Sequence, residues 1–508
     1  MTMTLSVDGN SLTLPDVVRV ARERTAVRLD DQARIRMQRV RDVVDRKLAS
    51  GEAVYGVNTG FGKLSEVAIP PDRLAELQVN LVRSHAAGVG PLLSEEEVRA
   101  MMLLRANVLA KGHSGVRPEL AELLLAMLNA GLFPPIPEQG SVGASGDLAP
   151  LSHLALSLLG EGDLFAGQRR GEAATLLAER GLKPVELGPK EGVALVNGTQ
   201  AHTAVAALAL ADAHVLWNTA HVAGAASLEA LMGTPVAFDE RIHQARGQEG
   251  QMRSAALLRR LLAGSEIRES HRVGDPRVQD AYALRCMPQV HGPVLDLLRF
   301  ADDVVGRELN AATDNPLVFE DGALLSGGNF HGQAVAMILD MLAIGMTNLA
   351  VIAERRIDRL VHPDLNQGLP PFLTQDAGVS SGYMIAQVTA AALASECKVL
   401  SHPASVDSIP TDGNKEDVVP MAMGAAWKLR RVIQNVRHVL AIELLCASQG
   451  LDFRRPLRSS APVEQAHILV RELVPSMVRD RPVSPDILLV AGAIGEGKLA
   501  SIAGNPEL

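Results

Sequence analysis

The sequence predicts a mainly α-helical protein built around one large helical bundle. Long segments of low charge and helical apolar periodicity lie at residues 199–232, 331–360, 378–401 and 417–449. Strand signals are few and short, and we find no internal repeat. Hydrophobic residues make up 47% of the 508 residues but aromatic ones only 3%, so the apolar surplus is aliphatic. Helices that are apolar on all sides must be buried on several faces, which indicates a central bundle shared between subunits.

The shorter elements before this bundle are marked by their start and stop signals. Ser94 and Glu97 form a capping box that starts a helix, and Gly112 ends it. Pro118 in the first turn and Gly131 after the last turn mark the next helix.

Two glycine-rich segments interrupt the helical pattern. Residues 133–147 (FPPIPEQGSVGASGD) contain three prolines and three glycines, and residues 326–332 read SGGNFHG. Loops held by a rigid helical scaffold often contain the chemically active residues. No linker divides the chain cleanly. We therefore expect a mixed N-terminal region, 1–195, that holds the first loop, and a central bundle with C-terminal helices, 196–508, in a single functional unit.

Composition excludes several classes of protein. The net charge of −9 argues against nucleic-acid binding. Three widely spaced cysteines, Cys286, Cys397 and Cys446, cannot form a disulfide framework or a zinc cluster. The N-terminus lacks the basic start and apolar core of a signal peptide, and no stretch of about 18 uninterrupted apolar residues could span a membrane. We expect a soluble cytoplasmic protein without nucleic-acid or membrane partners.

Two other motifs resemble binding sites but lack the residues or the spacing that such sites need. Residues 492–498 (GAIGEGK) resemble a phosphate-binding loop, but Glu496 would place a negative charge in the phosphate cradle. His202, His214 and His221 share one predicted helix. Their spacings of 12 and 7 residues do not let two imidazoles bind one metal ion, so we interpret them as packed or surface histidines.

The loop around Ala144-Ser145-Gly146 is the strongest chemical signal. In a turn of small residues, the amide nitrogen of Gly146 can reach the carbonyl carbon of Ala144, since glycine has no side chain in the way. Ring closure releases one water molecule, and loss of the Ser145 hydroxyl releases a second and leaves an exocyclic methylene. The product would be a 4-methylidene-imidazol-5-one, an electrophile made from the chain itself.

Blocks along the whole chain support this interpretation. The stretch GSVGASGDLAPLSH at 140–153 resembles the signature of the aromatic amino acid ammonia-lyase and aminomutase family. Further blocks resemble the family in its usual order: YGVNTGFG (55–62), SHAAGVG (84–90), VNGTQ (196–200), VQDAYALRCMPQVHG (278–292), SGGNFHG (326–332) and ASVDSIPT (404–411).

The resemblance implies a fold, an assembly and a reaction. The fold is the large helical-bundle lyase fold of the fumarase and aspartase superfamily. The assembly is a homotetramer in which three subunits build each active site. The reaction eliminates ammonia from an aromatic amino acid, and the methylidene-imidazolone replaces any external cofactor by acting as a covalent electrophile. No metal is implied.

The resemblance also assigns catalytic roles. Tyr55 is the base that removes the β-proton, and a phenol with a pKa near 10 in water needs help to act at neutral pH. Ser145 forms the electrophile and Tyr282 lies beside it. Arg285, a bidentate fork, binds the substrate carboxylate. Asn197 donates hydrogen bonds to the imidazolone or to that carboxylate.

Three further residues complete the expected site. Gln279 shares the hydrogen-bonding role of Asn197, and Phe330 packs near the imidazolone and shields it from water. Asp147 assists cofactor formation. It can also cap the helix that begins near Leu148.

Substrate choice depends on residues that contact the ring. His85 after Ser84, and Met384, resemble the branch of the family that acts on L-histidine. Glu416 discriminates more strongly, because a carboxylate can pair with an imidazole nitrogen. This predicts conversion of L-histidine to trans-urocanate and ammonia, the first step of histidine degradation. Residues 414–420 (NKEDVVP) depart from the family's usual NQEDHVS, which leaves the preferred ring open.

Two alternatives remain. The first is a tyrosine or phenylalanine ammonia-lyase, or an aminomutase that returns the amine to the β-carbon. The second is a catalytically silent oligomer that keeps the fold. The intact Tyr55, Ser145 and Arg285 argue against the silent oligomer.

Overall fold

Helices far outnumber strands in the computed structural model, which describes residues 4–50, 56, 58–60, 62–64, 67 and 69–504. The helices are α1 (Leu14–Arg22), α2 (Asp31–Ser50), α3 (Leu74–His85), α4 (Glu95–Ala110), α5 (Pro118–Asn129), α6 (Leu148–Leu158), α7 (Ala173–Glu179), α8 (Glu191–Val196), α9 (Gln200–Ala230), α10 (Glu240–Arg246), α11 (Glu249–Leu261), α12 (Glu266–Ser270), α13 (Tyr282–Arg285), α14 (Met287–Glu308), α15 (Gln333–Val361), α16 (Met384–Leu400), α17 (Ala422–Phe453), α18 (Ala461–Leu473) and α19 (Ser484–Gly495). The strands are β1 (Leu5–Val7), β2 (Val27–Leu29), β3 (Val89–Leu92), β4 (Leu132–Phe133), β5 (Pro137–Gln139), β6 (Asp163–Ala166), β7 (Arg169–Glu172), β8 (Leu317–Val318) and β9 (Leu324–Leu325).

The chain forms two compact units, and each is made of several chain segments. The first unit contains residues 1–211, 302–340 and 403–427. The second contains residues 212–301, 341–402 and 428–508. The predicted regions 1–195 and 196–508 divide the chain once, whereas four of the five unit boundaries fall inside the long helices α9, α14, α15 and α17.

Local capping chemistry sets where the helices of the first unit begin. Ser94 accepts a hydrogen bond from the backbone N–H of Glu97, and Glu97 bonds back to Ser94, so the predicted capping box of α4 is confirmed. Pro118 is the first residue of α5, as predicted. Thr13 and Asp16 form a further capping box at α1, which we did not predict.

The four long helices are found where the apolar periodicity predicts them, although two begin later than expected. α16 begins at Met384 rather than near 378, because Gly378 and Gly382 have φ angles of +105° and +55°, outside the right-handed helical region. α17 begins at Ala422 rather than 417, after Pro420 and the left-handed Met421 (φ +54°).

One helix in the described part of the chain, α15, is long and apolar enough to cross a membrane by length and composition. Within its most apolar window, 72% is buried inside the protein, as expected for a core helix. The segment 492–498 also lies largely in a helix, α19, instead of following a strand as a phosphate-binding loop would.

The strands form small sheets and lie in the first unit. β1 pairs with β2 in parallel, β3 with β5 antiparallel, and β8 with β9 antiparallel. β4, β6 and β7 form a three-stranded antiparallel sheet. The loop that follows β5 leads directly into α6 and contains Ala144-Ser145-Gly146.

Candidate active site

A cavity of about 800 Å³ lies in the first unit and brings together residues from distant parts of the sequence. Five predicted site residues line it: His85, Ser145, Asn197, Phe330 and Glu416. α3 contributes His85 from its last turn, the loop before α6 contributes Ser145, and the residue after α8 is Asn197. The cavity volume suits a small amino acid.

The turn at Gly146 can be formed only by glycine. Its φ angle is +70°, and a Cβ atom there would lie 2.1 Å from the carbonyl oxygen of Gly198. The two glycines pair as a parallel bridge, and the N–H of Asp147 donates to the carbonyl of Gly198 at 2.7 Å. The backbone of the loop is therefore held against the segment between α8 and α9.

We expect Gly146→Ala to prevent this close approach. The added methyl group would clash with backbone that cannot move aside, in addition to the left-handed strain, which predicts a loss of about 3 kcal/mol in the free energy of unfolding. Gly131→Ala is the matched control, because Gly131 has φ +67° but nothing lies within 4 Å of an added Cβ atom. Chemical denaturation measures both. Equal losses in the two variants would contradict the packing argument.

Asn197 connects the loop to the wall of the cavity. Its Nδ2 donates a hydrogen bond of 2.7 Å to the carbonyl oxygen of Ser145, while its buried Oδ1 has no hydrogen-bond partner in the structure. The Ser145 carbonyl would become the carbonyl of the imidazolone. A donor on that oxygen fits the predicted ring, whose carbonyl is an acceptor.

Asp147 is fully buried beneath the loop. Its carboxylate accepts hydrogen bonds from the backbone N–H groups of Ala201 and His202, both at 2.9 Å, and from the Ser141 hydroxyl at 2.7 Å. α6 begins at Leu148, as expected, but the prediction that the Asp147 side chain caps it is wrong. The carboxylate instead caps the first turn of α9.

His202 forms an ion pair with Asp147 inside the protein. The Nδ1 atom lies 2.9 and 3.0 Å from the two carboxylate oxygens. Burial would raise the pKa of Asp147, but His202 and the hydrogen bonds hold it below its usual value. Burial would lower the pKa of His202, but Asp147 and, less strongly, Glu308 hold it above 6.5. The sequence predicted a packed or surface histidine, and His202 is packed. Its pairing with Asp147 was not predicted.

The pair predicts a stability that depends on pH in a specific direction. Folded His202 binds its proton more tightly than the unfolded chain does. Its contribution is therefore complete below about pH 6.5 and is lost as the pH rises through the folded-state pKa. The contribution of Asp147 is present above its usual pKa and lost in acid. We expect His202→Met to lose about 2 kcal/mol at pH 6 and less at pH 9. Urea unfolding across this range measures it, and a loss independent of pH would contradict it.

Glu416 lies at another part of the cavity wall and is oriented by its own loop. The Thr411 hydroxyl donates a 2.5 Å hydrogen bond to Oε2 of Glu416, and the backbone N–H of Thr411 donates to the Glu416 carbonyl at 2.9 Å. Asp412 in the same turn also lines the cavity and lies against Gly62. Near the other predicted ring contact, the Ser84 hydroxyl lies 3.0 Å from Nδ1 of His85.

Four predicted residues belong to the second unit and do not line this cavity: Gln279, Tyr282, Arg285 and Met384. Tyr282 is 70% exposed, and the guanidinium carbon of Arg285 lies 4.7 Å from its ring centroid. Gln279 is exposed and Met384 half-buried. Tyr55 lies outside the described residues.

Some residues that line the cavity were not foreseen, including Asn80, Asn315 and Asp412. Asn315 binds the glycine-rich loop that precedes Phe330: its Oδ1 accepts from the N–H of Gly327 at 2.8 Å. Asp412 directly follows the block 404–411, and that proximity is the one signal that could have identified it. Among the described residues, no group of three or more His, Cys, Asp or Glu side chains is placed to hold a metal ion.

Comparison with known proteins places this chain in a family. The family model described as aromatic amino acid lyase matches residues 12–472. The chain belongs to the aromatic amino acid lyase family. This lyase is therefore a carbon–nitrogen lyase, and the predicted mainly α-helical lyase fold is confirmed.

Several relatives of this lyase are similar over nearly its full length. A histidine ammonia-lyase of Koribacter versatilis is 53% identical over 99% of both chains, and one of Anaeromyxobacter dehalogenans is 55% identical over 98% of this chain and 99% of the relative. The solved histidine ammonia-lyase of Trypanosoma cruzi has a TM-score of 0.92 and 44% identity, over 99% of this chain and 95% of that chain. Tyrosine aminomutase from Streptomyces globisporus has a TM-score of 0.93 and 40% identity, over 98% of each chain.

Proposed function

We propose that this lyase eliminates ammonia from L-histidine and releases trans-urocanate. One observation carries the proposal: a single cavity is lined by Ser145 of the Ala-Ser-Gly loop and by Glu416, a carboxylate suited to an imidazole ring. The family membership supports the reaction type, and the relatives named histidine ammonia-lyase support the substrate.

The cofactor we propose forms from the chain without any other reactant. The nitrogen of Gly146 bonds to the carbonyl carbon of Ala144, and the carbonyl oxygen leaves as water with the amide hydrogens of Gly146 and Ser145. The Ser145 hydroxyl then leaves as water with the Cα hydrogen. No group is oxidised or reduced. Once formed, the methylidene-imidazolone supplies an electrophile that makes a poor leaving group easier to expel.

Residues around the loop would prepare it and bind the substrate. Asn197 holds the carbonyl of Ser145 by its Nδ2 donor, which withdraws electron density from the ring. Asp147 holds the loop against α9, and Phe330 in the cavity wall excludes water. His85 and Glu416 bind the imidazole of the substrate.

The remaining roles fall to Tyr55, outside the described residues, and to four residues of the second unit. We assign removal of the β-proton to Tyr55 and carboxylate binding to Arg285, with Gln279 beside it. Tyr282 would lie at the reacting amine and Met384 against the ring.

We propose that other copies of the chain supply the four residues of the second unit, in a cytoplasmic homotetramer. α15 exposes Met337, Ile344 and Val351 at intervals of seven residues, which gives an apolar stripe on one side of the helix. α16 exposes Ile385 and Val388. Such faces are typical of helices that pack between subunits. Light scattering that gives a monomer mass would contradict this assembly.

A second candidate is an aromatic aminomutase or a tyrosine or phenylalanine ammonia-lyase. The TM-score of 0.93 to tyrosine aminomutase favours it, as does the altered block 414–420. Absorbance spectroscopy of the purified protein with L-histidine, L-tyrosine and L-phenylalanine separates the candidates. A urocanate band with L-histidine alone supports our proposal. A coumarate or cinnamate band, or no band while an isomerised β-amino acid accumulates, overturns it.

A further inference from the structure

Arg105 of α4 is fully buried, and its guanidinium binds the backbone of the active-site segment. Nη1 donates to the carbonyl of Ala194 at 2.9 Å and to that of Asn197 at 3.1 Å, and Nη2 also donates to the Asn197 carbonyl at 3.1 Å. Its Nε has no hydrogen-bond partner. It forms no ion pair with a described residue.

A buried charge without an ion pair is costly. Burial lowers the pKa of Arg105 to about 10, although Asp314 and Asp147 oppose this at a distance. A neutral side chain would fill the same space in α4 at lower cost. The groups that the guanidinium binds must therefore explain why a charged side chain occupies this position.

The segment held by Arg105 is the one that holds the Ala144–Gly146 loop. The Asn197 side chain donates to the carbonyl of Ser145, and the next residue, Gly198, accepts from the N–H of Asp147. A Cβ atom on Gly198 would lie 2.8 Å from Nη2 of Arg105, so guanidinium and backbone are in close contact. Arg105, Asn197 and the loop thus form one chain of contacts from the interior to the reacting backbone.

We propose that Arg105 is a positioning residue for formation of the imidazolone ring. It fixes Asn197 and Gly198, and through them it holds Gly146 in the turn from which its nitrogen attacks the Ala144 carbonyl carbon. This inference rests on the proposed function, because it requires that the ring forms. No oxidant or further reactant is involved, since two water molecules are the only products released.

The test compares Arg105→Met with Arg99→Met, a matched control on the same helix. Arg99 is also buried, and its guanidinium also makes three hydrogen bonds to backbone carbonyls, those of Val20 and Leu128. Both variants therefore lose the same number and type of bonds. Intact mass spectrometry of the soluble protein reports ring formation independently of activity, because the mature chain lacks the mass of two water molecules.

We expect mature wild-type protein, mature Arg99→Met and an Arg105→Met that retains one or both waters. Arg105→Lys keeps the charge but cannot span two carbonyls with one planar fork, so we expect its mass to fall more slowly after synthesis. This variant provides the test if Arg105→Met does not fold. Maturation of Arg105→Met or Arg105→Lys at the wild-type rate would overturn the role of Arg105, as would equal failure of Arg99→Met. A wild-type chain that retains both waters would instead overturn the proposed cofactor.

Discussion

Ser145→Ala is expected to abolish the ammonia-lyase activity while leaving the fold intact. Without the hydroxyl the second water cannot leave, and the exocyclic methylene cannot form. The turnover number should then fall at least about 10³-fold, or about 4 kcal/mol of transition-state stabilisation. The hydrogen bond from Asn197 goes to the main-chain carbonyl of residue 145, which alanine keeps, so the free energy of unfolding should change by less than about 0.5 kcal/mol.

Ser157→Ala is the control for this experiment. Ser157 is a buried serine of α6 whose hydroxyl donates to the Leu154 carbonyl at 2.6 Å, so its loss costs a hydrogen bond outside the cavity wall. Urocanate absorbance measures activity and thermal unfolding measures stability. We expect Ser157→Ala to be less stable but active. Activity of Ser145→Ala within tenfold of the wild type would show that this serine does not form the electrophile.

The sequence predicted the parts of the fold that depend on short-range chemistry. Apolar periodicity located α9, α15 and α17, and capping residues located the start of α4. The glycine requirement at Gly146 was also predictable, because ring closure needs a backbone without a Cβ atom. The structure adds that the same glycine is needed for contact with Gly198.

The parts that could not be predicted depend on contacts between residues far apart in the chain. Arg105 lies within an apolar helix, and nothing in its neighbours reveals that it binds the carbonyls of Ala194 and Asn197. The pairing of His202 with Asp147 likewise spans 55 residues. Periodicity shows which side of a helix is buried, but it does not show which backbone groups that side meets.

Glu416→Gln is expected to change the substrate preference of the site. The carboxylate of Glu416 is held by the Thr411 hydroxyl through Oε2, which leaves Oε1 available to the substrate in the cavity wall. A carboxylate accepts a strong hydrogen bond from an imidazole N–H, whereas a neutral amide accepts a weaker one. We expect kcat/KM for L-histidine to fall about 10- to 100-fold, which corresponds to about 1.5–3 kcal/mol for a hydrogen bond to a charged group.

The same substitution should affect a substrate without ring nitrogen differently. L-Phenylalanine cannot use the carboxylate, and its ring must displace water from it, so kcat/KM for L-phenylalanine should stay constant or rise. Asp417→Asn is the matched control, because Asp417 is the exposed neighbouring carboxylate and does not line the cavity. It removes the same charge and should leave both substrates unchanged. Thr411→Val, which removes the orienting hydroxyl, should lower kcat/KM for L-histidine by less than Glu416→Gln does. An equal loss of kcat/KM for both substrates in Glu416→Gln would mean that this carboxylate supports the loop and does not bind the ring of the substrate.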